Sequence, residues 1–176
     1  NWKKYQRMKA LTWGPDTRSF YGSDLIQAYR LYLLALARAP ELGAMNRLRE
    51  FKYMSEEARW RLAAAYKLVG QPEIGLQLIN GLSTTIKPYY SLYGTYGSDL
   101  RDEAMILETL TLLGQHQKAA AQFKTVAYRL SQDDWYSTQT TAYSLVAIAE
   151  YCGVNRSPGK LRFIYNAPNA ASKSYL

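Results

Sequence analysis

Apolar positions recur along this chain in seven strong blocks, and the blocks are of two kinds. In four of them, about 24–38, 56–69, 99–113 and 138–153, apolar side chains surround most of a helix circumference. Leu25, Ile26, Ala28, Tyr29, Leu31 and Tyr32 open the first; Ala142, Leu145, Val146, Ala149 and Cys152 make one stripe of the last, with Tyr143, Ala147, Ile148 and Tyr151 covering most of the rest. A helix apolar nearly all round is buried nearly all round, so these four demand neighbours on every side. The other three blocks, about 41–53, 72–80 and 115–131, are one-faced. In the last of them Ala119, Ala120, Phe123, Ala127 and Leu130 are expected inside, and Gln117, Lys118, Gln122, Lys124 and Arg129 outside. That is the spacing of a half-wet helix.

Local signals punctuate the blocks. Ser55 before Glu56-Glu57, and Ser137 or Thr138, suit helix N-caps. Asp24 with Gln27 three residues on has the form of a capping box. Pro72 suits a first helical turn, and Gly70, Gly81, Gly114 and Gly153 suit helix ends. Residues 1–11 read as a short amphipathic helix with Trp2, Tyr5 and Met8 inward. Residues 82–97 read as a tyrosine-rich loop, packed on the helices beneath or open to a partner.

The pentapeptide Tyr-Gly-Ser-Asp-Leu occurs at 21–25 and again at 96–100, 75 residues later. The broadly apolar helices end at Ala39, Gly70, Gly114 and Gly153, spaced 31, 44 and 39 residues apart. Such periods mean stacked helical hairpins. Helices apolar all round that alternate with one-faced helices predict two layers: an inner one covered from both sides and an outer one half wet. The predicted fold is therefore all-α, an α/α toroid of helical hairpins over 1–153. About three and a half hairpins make a partial ring, an open arc with exposed apolar edges that favour self-association. Residues 154–176 break the pattern. Leu161, Phe163 and Tyr165 alternate with Arg162, Ile164 and Asn166, which reads as a short strand with no partner in the chain, an extended tail opening a following β domain.

Composition narrows the chemistry. Hydrophobic residues are 48% and charged residues 20% of the 176, a globular profile, and no uncharged apolar run is long enough to span a membrane. The net charge of +8 is uneven: residues 1–67 hold thirteen Lys/Arg against six Asp/Glu, 68–153 hold five against eight, and 154–176 hold four against none. The basic residues are scattered on helix faces without a nucleic-acid motif, so nucleic acid is not expected as a partner. No secretory signal is visible in the sequence, and the chain, beginning at Asn1 rather than Met, reads as a piece of something longer.

No residue is assigned a catalytic, cofactor-binding or metal-binding role, and no cofactor is expected. His116 is the only histidine and is expected to face solvent. Cys152 is the only cysteine, so no internal disulfide is possible; it falls on the apolar stripe of its helix and reads as a core residue. Asp133-Asp134 read as loop and cap residues, and Asp102 and Glu103 as first-turn acids favoured by the helix dipole.

Two stretches carry a family resemblance. Gly97-Ser98-Asp99-Leu100-Arg101-Asp102-Glu103-Ala104 with Ile106-Leu107, and Trp135 through Leu145, resemble bacterial α2-macroglobulins, in the later part of the thioester domain. Tyr21-Gly22-Ser23 is compatible. The resemblance implies an α/α toroid, with the strand-like tail similar to the start of the β-sandwich domain that follows it. It further implies a periplasmic or envelope protein that traps proteases after cleavage of a bait segment, with a Cys–Gln thioester in some members. Its partners would be the other domains of the parent and target proteases. The signature Cys-x-Glu-Gln is absent: Cys152 is followed by Gly153-Val154-Asn155, and no thioester residue carries over. Two other readings remain at this stage: a tetratricopeptide-like scaffold, suited by residues 63–79, and a terpene-cyclase-like toroid enzyme, which needs an acid cluster in a central cavity.

Overall fold

The computed structural model describes residues 1–14, 23–89 and 97–154 in full, and the backbone of 163–165 and 173–175. Among the described residues eight helices follow in order: α1 Trp2–Thr12, α2 Ser23–Leu36, α3 Leu42–Arg49, α4 Glu56–Leu68, α5 Pro72–Leu78, α6 Asp99–Leu112, α7 His116–Leu130 and α8 Thr138–Val154. The even-numbered helices pack in succession, α2 on α4, α4 on α6 and α6 on α8. The odd-numbered helices lie over them: α3 against α2 and α4, α5 against α4, and α7 against α6 and α8, with α1 on α2 and α3. Over the described residues up to Val154 the fold is thus all-helical, with hairpins in two layers, as the alternation of the two kinds of helix requires.

The local signals explain where these helices begin and end. Ser55 Oγ accepts the amide N–H of Ala58 at 3.3 Å and caps α4, Ser98 Oγ accepts that of Arg101 at 3.1 Å and caps α6, and Ser137 Oγ accepts that of Thr140 at 3.2 Å at the start of α8. Each hydroxyl satisfies a first-turn N–H that has no partner inside the helix. Gly70 and Gly114 turn the chain after α4 and α6 at φ of 80° and 67°, a region costly for any residue with a Cβ. Gly75 has a different role: a Cβ there would stand 2.8 Å from the carbonyl oxygen of Ala63, so its absence lets α5 lie directly on α4.

The middle of the inner layer is dry. α4 buries Ala58 and every residue from Trp60 to Tyr66, and α6 buries every residue from Asp99 to Thr111. Two apolar clusters result, one around α2, α3 and α4 and one around α6 and its neighbours, with Leu25 and Leu78 packing against both. A tetratricopeptide-type superhelix lines a wet groove with its inner helices, and α6 has no wet face over this span.

Several expectations are corrected. α1 does not turn Trp2, Tyr5 and Met8 inward; all three are exposed and Ala10 is its buried residue. The stripe of Ala142, Leu145, Val146, Ala149 and Cys152 on α8 faces out, while Thr140, Ser144 and Ala147 face in. The reason is position. Among the described residues α6 has neighbours on both sides within its layer, whereas α8 packs chiefly on α6 and α7. α2, at the other end, likewise exposes Ile26, Leu33 and Leu36. Gly153 does not end α8 in the left-handed region; the helix runs through it to Val154. Asp24 and Gln27 form no capping box and instead bond to other elements: the Asp24 carboxylate accepts the amide N–H and hydroxyl of Ser55 at 2.7 and 2.8 Å, and Gln27 Nε2 donates to the Ala10 carbonyl at 3.0 Å. Gln122, expected outside, is buried and donates to the Glu103 carbonyl at 3.2 Å. The tail strand does have a partner in the chain: Phe163–Tyr165 pairs antiparallel with Lys173–Tyr175, with Ile164 opposite Ser174. Residues 15–22 and 90–96, which hold the first pentapeptide's opening and Tyr90, Tyr93 and Tyr96 of the tyrosine-rich loop, lie outside the described residues.

Candidate functional site

The most chemically loaded place in the molecule is where the four inner helices meet. α4 contributes Arg61, whose side chain is completely buried; α6 contributes Glu108; α2 contributes Tyr29 and Tyr32; α8 contributes Tyr143. Arg61 Nη2 donates to Glu108 Oε2 at 2.7 Å and to the Tyr143 hydroxyl. Tyr143 donates to Glu108 Oε2 at 2.7 Å, and Tyr32 donates to the other carboxylate oxygen. Glu108 thus takes a hydrogen bond from each of three other helices.

The guanidinium also lies among aromatic faces, 4.2 Å from the ring centre of Tyr32, 4.7 Å from that of Tyr29 and 5.7 Å from that of Tyr143. Among the described residues its Nε and Nη1 find no hydrogen-bond partner, and the negative ring faces offer the cation its remaining stabilisation. A buried charge is tolerated when it is paired and hydrogen-bonded, and this pair has both.

The electrostatics fix the protonation states. Burial works against ionisation of Glu108, but Arg61 and the hydroxyls of Tyr32 and Tyr143 outweigh it and hold the carboxyl below the usual glutamate range. Burial and the nearby Glu108 push the Tyr32 hydroxyl up; burial likewise raises Tyr143, against the pull of Arg61. Burial opposes the charge on Arg61, and Tyr29, Tyr143, Glu108 and Tyr32 more than offset it. Across the physiological range the Glu108 carboxylate therefore stays ionised, the guanidinium charged and the Tyr32 and Tyr143 phenols protonated. Glu108, Tyr32 and Tyr143 are all moved away from neutrality, where a general acid or base works best. What the arrangement does well is hold four helices in register.

A second polar layer ties α6 to α7 and to the loop residue Tyr89. Arg129 of α7 pairs with Asp99 and Glu103, each at 2.9 Å. Asp102 pairs with Arg101 at 3.0 Å and accepts the Tyr89 hydroxyl. Burial raises the Glu103 carboxyl, Arg129 only partly countering it. Asp102 and Glu103 are thus buried ties as well as first-turn acids. His116, Asp133 and Asp134 are exposed, and Cys152 is exposed rather than in the core. Among the described residues no three of His, Cys, Asp and Glu gather as a metal site. The acids face arginines and a tyrosine rather than a cavity, which is not the paired-acid lining a terpene-cyclase-like centre needs.

Sequence reading missed Arg61 and Glu108, although a signal was there. Arg61 sits between Trp60 and Leu62-Ala63-Ala64-Ala65, and Glu108 follows Ile106-Leu107. A lone charge on a helix with no wet face has to find an opposite charge inside.

No protein-family model matches the chain, and no curated protein does. Among solved structures, the chain is similar to the cryo-EM reconstruction of the native conformation of Escherichia coli alpha-2-macroglobulin, with 22% sequence identity and a TM-score of 0.68. The match covers 98% of this chain and 11% of that one, so the chain spans about a tenth of the length of the protein whose fold it shares. At this identity the likeness is one of fold.

Proposed function

We propose that this chain is a non-enzymatic module of a bacterial α2-macroglobulin-like protein and contributes to protease trapping at the cell envelope, in the periplasm or associated with it. The observation that carries the reading is a helical fold shared over 98% of the chain with a small part of Escherichia coli alpha-2-macroglobulin. Two further facts agree with it. The stretches at 97–107 and 135–145 resemble that family in sequence. The charged groups inside the fold are locked in pairs, as suits a scaffold that keeps its shape under load. Residues 1–153 form the helical domain, and 154–176 begin whatever follows it. The partners are the other domains of the parent and the proteases it meets, with the exposed faces of α2 and α8 available for contact.

The parent protein mixed with a protease tests this. Trapping leaves the protease active on a small peptide amide and blocks it on a folded protein substrate, because a cage excludes the large substrate alone. Equal activity on both substrates, with and without the parent protein, overturns the proposal.

A further inference from the structure

We draw no further inference here: the strongest candidate, the buried cluster between α2 and α4 in which Arg61 Nε and Nη1 and the Tyr29 hydroxyl find no hydrogen-bond partner among the described residues, belongs to the site already described, where Glu108 and the tyrosine rings stabilise the charge.

Discussion

α6 and α8 look alike as sequence and live differently in the fold. Both carry apolar residues around most of their circumference. α6 is buried from Asp99 to Thr111, charges included, while α8 buries only Thr140, Ser144 and Ala147 and leaves Leu145 and Val146 exposed. The difference is the number of neighbours: α6 sits between α4 and α8 under α7, and α8 has no helix beyond it among the described residues. An all-round apolar pattern therefore states what a helix needs, and its place in the arc decides how much of that need the chain itself meets.

The comparison breaks most sharply at Glu108. Glu108→Ala leaves Arg61 charged, fully buried and without its counter-ion, and is expected to cost about 3–5 kcal/mol in urea-denaturation midpoints. A loss under about 1 kcal/mol would mean that the pair is hydrated rather than dry. Next come two leucines, one on each helix. Leu107→Ala on α6 is expected to cost about 2–5 kcal/mol for lost burial and the cavity left behind. Leu145→Ser on α8 is expected to stay within about 0.5 kcal/mol, as for a surface position. Equal costs would erase the distinction drawn here.

The smallest effect lies in two carboxyls of α6 whose pH responses have opposite sign. The folded-state pKa of Glu108 is lowered, so its contribution is whole above the ordinary glutamate range and is lost as pH falls through the lowered value. That of Glu103 is raised, by burial above all, so its ionised form opposes folding and stability returns as pH falls through the raised value. Urea midpoints from about pH 7 to about pH 3 are expected to drop less steeply in Glu108→Gln and more steeply in Glu103→Gln than in the parent chain. The same slope in all three would remove both carboxyls from the account.

Much of this architecture could be read before any coordinates. The alternation of broad and one-faced helices survived because it depends on hydration alone, which each residue carries with it. The caps at Ser55 and Ser137 and the turns at Gly70 and Gly114 survived because their hydrogen bonds and backbone angles are local. What failed depends on partners remote in sequence. Asp24 prefers Ser55, 31 residues away, to its own helix start. Trp2 and Tyr5 look like core residues until α1 is seen to be tied down through its carbonyls. The Arg61–Glu108 cluster draws on four helices, and no window of sequence holds it.

Native-state amide hydrogen exchange, read residue by residue, tests the layered account most directly. The account predicts that the amides of Met105 to Leu110 exchange only through global unfolding, while those of Leu145 to Cys152 exchange through a local opening that leaves α4 and α6 intact. Protection of α8 equal to that of α6, or fast exchange in the middle of α6, would contradict it.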